Sequence, residues 1–276
     1  MQKLMPRGRR TPEAGWAYVV GSILLGAPLL ALIALSLAGL LLGTSPSEVG
    51  AQMREETTLQ AIYLSLRTTL ASLAAVMVFG TGLALAIHRS PSWLASSLEL
   101  VVTLPAIMPP SVAGIALLLA FGRQGLVGEH LDAMGVRVAF TPLAVVMAQA
   151  FVAAPFYVRE VASGLRSIDP QVLEAAHIDG AGGAKTATSI LIPLAMPFVF
   201  VGAALAWARA VGEFGATILF AGNLPGVTQT MPLAIYLGFE SDLAQAKALA
   251  LVLLAFAVGV LVLLKAAFHR FLALAH

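Results

Sequence analysis

Long apolar segments alternate with short polar stretches along the chain. They cover about residues 15–42, 60–88, 93–121, 140–164, 188–220 and 244–272 of the 276. A run of about 18 or more apolar residues can cross the hydrocarbon core of a bilayer as a helix, which satisfies its own backbone polar groups there. The pattern predicts an all-α membrane protein with about six transmembrane helices in a single domain, residues 15–272.

Composition agrees with a bilayer as the surrounding medium. Hydrophobic residues make up 59% of the chain and charged residues 11%, with a mean hydropathy of +0.91, whereas soluble domains are about 45–50% apolar. There is no cysteine, and the five histidines have no metal-ligand spacing. We therefore expect no disulfide and no metal site. The formal net charge is only +2 and most basic residues gather at one set of loops and tails, so nucleic acid is not an expected partner.

The distribution of basic residues predicts the orientation. Ten lie in the termini and in the loops that join the second span to the third and the fourth to the fifth: Lys3, Arg7, Arg9, Arg10, Arg89, Arg159, Arg166, Lys185, Lys265 and Arg270. The opposite loops hold Arg54, Arg123 and Arg137. By the positive-inside rule both termini are cytoplasmic, with residues 1–14 and 273–276 as tails. The first apolar run exceeds the about 7–15 residues of a signal-peptide core, so we expect it to be retained.

Prolines interrupt two of the predicted spans. The third contains Pro105, Pro109 and Pro110, and the fifth includes Pro193 and Pro197 near its start. Each proline removes a backbone donor and kinks its helix, which a membrane tolerates where neighbouring helices or a water-lined cavity satisfy the freed carbonyls. Two interpretations stay open, namely kinks that serve packing alone and kinks that line a pathway.

A polar stretch between the fourth and fifth spans has the signals of a short capped helix. Asp169 can cap the first amides, Pro170 suits the first helical position, and Gly180 accepts the left-handed conformation that closes a helix. These signals predict about two turns, residues 170–178, in a cytoplasmic segment of about 170–180. A helix this short needs packing from elsewhere. A docking helix for a soluble partner is favoured over one lying on lipid, because the segment lacks the Lys and Arg that anionic lipid attracts.

The same stretch resembles a family signature. Glu174-Ala175-Ala176, then Gly180 and Ile190-Leu191-Ile192-Pro193, match the spacing of the EAA signature in permease subunits of bacterial ATP-binding-cassette (ABC) importers, with Ile192 in place of a leucine. The resemblance implies that the segment is a coupling helix for a cytoplasmic ATPase dimer. It assigns the ATPase contact to Glu174, Ala175, Ala176, Asp179 and Gly180. ATP and magnesium would bind that partner, and this chain would bind no cofactor itself.

Further segments narrow the resemblance. They are LPAIMPPSVAGIALL at 104–118, ARAVGEFGAT at 208–217, FAGNLPG at 220–226 and TQTMPLAIY at 228–236. They are similar to runs in molybdate and tungstate permeases, and sulfate permeases share the GEFG part. The resemblance implies an importer of molybdate or tungstate in the bacterial inner membrane, with a sulfate or thiosulfate permease as the alternative. It also implies alternating access and an extracytoplasmic oxyanion-binding protein as a partner.

Arg209 and Glu213 are charged residues inside the predicted fifth span. Their spacing of four puts them on one helix face, where they can pair. Charges in a bilayer usually face the bundle interior and suggest function. The pair is either a structural lock or part of the oxyanion pathway or an outer gate, to which we also assign Arg67 and Thr217. Arg67 could equally extend to the outer interface.

The chain contains no phosphate-binding loop of the GxxxxGK[ST] type, so we predict that it is not an enzyme and that the ATPase is separate. An ATPase dimer offers two clefts and this chain one coupling helix, so a second copy is expected, most simply as a homodimer. An ion-coupled secondary transporter is disfavoured because no paired midplane carboxylates or inverted repeats are evident. A membrane enzyme is disfavoured because no catalytic cluster occurs at one depth.

Overall fold

The computed structural model describes residues 12–274, with side chains for all but residues 12–15, 17, 177, 261, 263–264 and 267–274. The helices are α1 Pro12–Leu42, α2 Pro46–Gln52, α3 Glu56–Arg89, α4 Ser92–Ile107, α5 Pro110–Phe121, α6 Gly128–Ala133, α7 Pro142–Arg166, α8 Pro170–Ile178, α9 Gly183–Thr186, α10 Ile192–Val211, α11 Gly215–Phe220, α12 Met231–Ser241 and α13 Leu243–Leu274. Within this part of the chain, five helical stretches are long and apolar enough to cross a membrane, or six if the bent pair α4 and α5 is one span. The predicted all-α membrane fold is confirmed. Of the predicted tails, residues 1–11 and 275–276 lie outside the described residues.

The chain forms two compact units, one up to Pro46 and the other from Ser47 onward. In the first unit, α1 exposes its apolar side chains, for example Leu25 to 86%. At about 1.5 Å per residue its 31 residues extend over about 46 Å, which exceeds the hydrocarbon core of about 30 Å. An apolar surface of this length suits a helix surrounded by lipid.

In the second unit, α7 is the central helix and packs against both α3 and α10. Small residues allow the close approach. A Cβ on Gly80 of α3 would lie 2.8 Å from the Tyr157 ring of α7, and one on Gly164 of α7 would lie 2.3 Å from the Phe198 ring of α10. Tyr157 is fully buried, and its hydroxyl lies 2.7 Å from Thr81 Oγ1. Such small-residue contacts are typical of helix packing in membranes.

The third predicted span is not one helix, which corrects the expectation of a kinked span over 93–121. Helices α4 and α5 meet at a bend of 114°. Met108 and Pro109 are both extended, with ψ of 137° each. A residue that precedes proline is pushed out of the α conformation, and here Pro109 and Pro110 impose this on two successive residues. Two extended residues break the helix where a single proline, such as Pro105 within α4, leaves it continuous.

The fifth predicted span, residues 188–220, is also wrong as one helix. The helical stretch begins at Gly183, passes through a π-helical turn at Ala187–Leu191 and ends at Val211. The π turn ends two residues before Pro193, which lacks the amide that a regular helix would use there. Helix α11 starts separately at Gly215. The break between α10 and α11 has its own side-chain partner, described below.

Candidate functional site

The predicted docking helix forms as α8, Pro170–Ile178. At its start the Gln171 amide donates to Asp169 Oδ1 at 2.9 Å. At its end Gly180 adopts a φ of +73°, and the Ala181 amide donates to the Ala176 carbonyl at 2.9 Å. These are the N-cap and the left-handed closure that the residue types predict. The helix and both caps are confirmed, and its role in coupling stays a prediction.

Helix α8 has an inner and an outer face. Leu173 packs against the core of the second unit, and Ala176 is only 6% exposed. The exposed residues of the segment include Glu174, Ala175, Ile178, Asp179 and Gly180. Of the five predicted contact residues, four are therefore accessible. The fifth, Ala176, packs the helix against its own chain. Ile178, which the sequence analysis did not single out, is 86% exposed and adds an apolar side chain to the accessible surface.

The glycine-rich stretch after α8 is fastened to the end of α3. Arg89 Nη2 donates to the Gly183 carbonyl at 2.6 Å. A Cβ on Gly183 would lie 3.1 Å from Nη1 of the same arginine, so glycine keeps room for the guanidinium. This hydrogen bond joins positions 94 residues apart. The stretch that follows α8 is thus attached to the C-terminal end of α3, a membrane-length helix.

Arg209 and Glu213 form the predicted ion pair, with Arg209 Nη1 2.6 Å from Glu213 Oε2. The other carboxylate oxygen, Oε1, accepts a hydrogen bond from the Ala216 amide at 2.7 Å. The Glu213 side chain is 1% exposed and that of Arg209 is 30% exposed. Because an unpaired buried carboxylate is costly, two donors stabilise its position. Glu213 therefore joins the end of α10 to the first turn of α11, which explains the helix break.

The breaks in the third and fifth predicted spans contact each other. A Cβ on Gly215, at the start of α11, would lie 2.4 Å from Pro110 Cβ at the start of α5. Within α5, a Cβ on Gly114 would lie 2.8 Å from Leu219 Cβ and 2.9 Å from the Ala216 carbonyl oxygen. Glycine at both positions lets the two short helices touch. The prolines and the GEFG segment, which lie about a hundred positions apart in the sequence, form one junction.

The other predicted pathway residues, Thr217 and Arg67, differ from the ion pair in their burial and their partners. Thr217 is fully buried in α11, and its Oγ1 has no hydrogen-bond partner within the described residues. Arg67 is exposed on α3. Gln149 of α7, which sequence reasoning missed, is 1% exposed and its Oε1 likewise lacks a partner there. A glutamine within the apolar first half of the fourth predicted span, residues 142–154, is the signal that could have indicated it.

The TQT segment is buried in the fold. Thr228, Gln229 and Thr230 are 0%, 5% and 1% exposed. The Leu224 amide donates to Thr228 Oγ1 at 3.1 Å, and the next residue after the segment, Met231, donates its amide to Ser65 Oγ of α3 at 2.7 Å. Thr228 thus stabilises the turn before α12, and the Met231 amide attaches the end of that turn to α3.

A cavity of about 500 Å³ lies beside α4 and α7. Polar and charged side chains on its wall are Glu99 and Thr103 from α4 and Arg159, Glu160, Ser163 and Arg166 from α7, with apolar residues between them. Arg166 Nη1 forms an ion pair with Glu99 Oε1. The pair joins residues 67 apart and links the end of α7 to the middle of α4. Sequence reasoning did not assign this cavity.

Membrane-length helices, two meeting helix breaks and a capped helix between spans define a multi-pass membrane protein. A family model described as "Binding-protein-dependent transport system inner membrane component" matches residues 77–273. The chain belongs to this family, the permease subunits of ABC importers.

Curated relatives share much of the sequence. The molybdenum transport system permease protein ModB of Mycobacterium tuberculosis is 42% identical over 193 residues, 70% of this chain and 73% of that protein. ModB of Escherichia coli is 35% identical over 206 residues, 74% of this chain and 90% of that protein. The probable transport system permease protein NifC of Clostridium pasteurianum is 40% identical over 200 residues, 72% and 70% of the two chains.

Solved structures agree on the fold. A bacterial ABC transporter involved in the import of the acidic polysaccharide alginate has a chain that superimposes with a TM-score of 0.73 at 19% identity, over 92% of this chain and 98% of that one. A MetNI methionine ABC transporter gives a TM-score of 0.58 at 17% identity, over 79% and 95%. At these identities the likeness concerns the fold alone.

Proposed function

We propose that the chain is the transmembrane subunit of an ATP-driven importer for molybdate, with tungstate as a chemically similar substrate. The observation that carries the proposal is the identity of 35–42% to curated molybdenum transport system permeases over more than two thirds of the chain. The subunit lies in the bacterial inner membrane with both termini in the cytoplasm. It works by alternating access and receives the oxyanion from an extracytoplasmic binding protein.

In this proposal α8 is the coupling helix. Its accessible carboxylates, Glu174 and Asp179, and the exposed apolar Ile178 offer a cytoplasmic ATPase both charged and apolar contacts. Ala175 and Gly180 allow close approach, and Ala176 supports the helix from inside. ATP and magnesium bind the ATPase dimer, and the permease itself binds no cofactor. Two copies of the permease present two coupling helices to the two ATPase clefts.

The junction of α5 with α11 is the proposed gate of the pathway. The Arg209–Glu213 pair holds the break between α10 and α11, and a shift of α11 would move Thr217 with it. Arg209 remains 30% exposed and thus within reach of an anion. Arg67, exposed on α3, adds positive charge toward the same predicted outer side. Weak contacts suit this role, because a transported ion must also be released.

A sulfate importer of the same family is the second candidate. A probable sulfate transport system permease of Nephroselmis olivacea is 38% identical over 143 residues, which is 52% of this chain. The shorter match favours molybdate. Both ions are tetrahedral dianions, so the difference between them must be measured.

Reconstitution tests the proposal. The permease is placed in liposomes with its ATPase and its binding protein, and ATP turnover is compared with molybdate, tungstate or sulfate outside. We expect turnover to rise with molybdate and tungstate more than with sulfate. A larger response to sulfate would support the second candidate, and oxyanion uptake without ATP would contradict an ABC importer. Recovery of two different permease chains in the purified complex would contradict the homodimer.

A further inference from the structure

We propose that Arg159 and the cavity beside it form an oxyanion site of the permease, lying apart from the junction of α5 and α11. This inference rests on the proposed function for the choice of ion. The site would be a place where the dianion pauses on the way through the chain. Four observations support it: the position of Arg159, its lack of an ion-pair partner among the described residues, the size of the cavity and the groups around it.

Arg159 is a charged residue in a membrane-length helix, and a charge in such a position is energetically costly. Sequence reasoning counted Arg159 with the loop between the fourth and fifth spans, but it lies in α7, one of the membrane-length helices, seven residues or about 10 Å before the helix ends at Arg166. A charged side chain in such a helix usually faces a protein interior or a water-filled cavity and suggests a function. Arg159 is exposed and lines the cavity of about 500 Å³. Small-molecule sites in proteins have volumes of about 300–1,000 Å³, so a hydrated dianion fits.

The guanidinium of Arg159 is available. Among the described residues it forms no ion pair, whereas the neighbouring Arg166 is paired with Glu99. Glu160 follows Arg159 directly, and adjacent residues do not face each other on a helix. The Cβ of Glu160 lies beside α10, where a Cβ on Gly202 would be 3.3 Å from it. Arg159 therefore keeps its donors free for a ligand.

The chemistry of the wall selects an oxyanion. A planar guanidinium offers a fork of donors that matches two oxygens of a tetrahedral anion. Ser163, one turn further along α7 on the same wall, adds a hydroxyl donor. Thr103 offers only lone pairs, because its hydroxyl donates to the Glu99 carbonyl at 2.7 Å. Arg159 and Ser163 are thus the residues that would contact the ion.

The same wall keeps the binding weak. Two arginines and two glutamates line the cavity, so its formal charge balances to zero. A dianion near Arg159 gains one charge-assisted contact and also meets the field of Glu160. Weak attraction is what transport requires, since tight binding would hold the ion in the membrane. The site would contribute to the passage and selection of the ion, while high affinity resides in the binding protein.

The chain contains no cysteine, which makes a direct test possible. Ser163→Cys introduces a single thiol on the cavity wall, and Ser92→Cys introduces one at the exposed start of α4 as the matched control. The permease–ATPase complex is treated with a negatively charged thiol reagent, with millimolar molybdate or with chloride at equal ionic strength. Labelling is read on the permease after it is separated from the ATPase. Each variant is also made with Arg159→Gln.

We expect molybdate to slow labelling at position 163 but not at position 92, and Arg159→Gln to abolish the difference. In liposomes, Arg159→Gln should lower molybdate uptake about tenfold, because a hydrogen bond to a charged group is lost. Arg159→Lys should retain part of it, and Arg123→Gln, in the outer loop, should leave uptake unchanged. Equal labelling with molybdate and with chloride at position 163, or full uptake by Arg159→Gln, would overturn the inference.

The two proposals fail differently. If the unaltered complex shows no molybdate-stimulated ATP turnover, the proposed function fails, whatever the labelling shows. If turnover is normal but labelling at position 163 ignores molybdate, the cavity site fails and the proposed function stands. Protection by molybdate without stimulated turnover would support an oxyanion site in a permease for another substrate.

Discussion

The contact between the two helix breaks predicts that alanine substitutions at two nearby glycines change the thermal stability in opposite directions. Gly215→Ala adds a Cβ that would lie 2.4 Å from Pro110 Cβ. Carbon atoms in contact prefer about 3.5–4.0 Å, so α5 and α11 must separate locally by about 1 Å. Overpacking of this kind costs about 1–3 kcal/mol. For a domain of this size, that corresponds to a fall of roughly 2–12 °C in the apparent Tm.

Gly212→Ala is the matched control in the same break. A Cβ there would meet only the Ala208 carbonyl oxygen at 3.9 Å, and Gly212 has a φ of −86°, which alanine adopts readily. Replacing glycine by alanine at a compatible position stabilises by about 0.4–1 kcal/mol, because the unfolded chain loses freedom. We therefore expect Gly212→Ala to raise the apparent Tm slightly and Gly215→Ala to lower it.

The assay is thermal unfolding of the purified permease–ATPase complex, followed by ATP turnover in liposomes. Gly114→Ala gives an independent check on the same contact, since its Cβ would lie 2.8 Å from Leu219 Cβ. If Gly215→Ala proves as stable as Gly212→Ala, the two breaks do not touch as described. If stability falls but turnover is unchanged, the contact exists without serving as a gate.

Three other perturbations test separate parts of the chain. Gly180→Val places a branched residue at φ +73° and should strain the end of α8 by about 1–2 kcal/mol. ATP turnover should therefore fall more than with Gly180→Asn. Equal turnover of the two variants would argue against a coupling role. Glu213→Gln removes the charge 2.6 Å from Arg209 and should destabilise the complex by about 1–3 kcal/mol, seen as a lower apparent Tm; an unchanged Tm would contradict a structural pair. Desolvation raises the pKa of Asp132, but hydrogen bonds and charges from two arginines outweigh it and hold the pKa below 3.8. The ion pairs therefore stabilise the 122–139 loop above pH 3.8. This stabilisation is lost as the pH falls through the lowered pKa. Cleavage of the loop by pepsin should become faster as the pH falls through this pKa, whereas the Asp132→Asn variant should show no such change with pH.

The features that sequence predicted well depend on neighbouring residues. The caps of α8 follow from Asp169, Pro170 and Gly180, because capping uses groups within a few positions. The membrane-length helices follow from the length of apolar runs. The pairing of Arg209 with Glu213 follows from helical periodicity alone. Each of these predictions needed no knowledge of what packs against the segment.

The features that sequence missed depend on contacts between distant segments. The consecutive prolines Pro109 and Pro110 predict a disturbance, but not the bend of 114° or the glycine, Gly215, that lies against Pro110 from a distant segment. The second partner of Glu213 is a backbone amide, which no residue type announces. The Arg166–Glu99 pair spans 67 positions. A single sequence carries little information about such pairings.

Helix α7 connects the proposed coupling helix to the proposed oxyanion site. Arg166, its last residue, is held to α4 through Glu99, and α8 begins four residues later at Pro170. Leu173 packs α8 onto the same core that contains Tyr157 and Leu165 of α7. A force applied to α8 therefore reaches the end of α7 through packed side chains rather than through a flexible loop. Because Arg159 lies about two turns earlier on α7, a shift of that helix would change the cavity and release a weakly held ion.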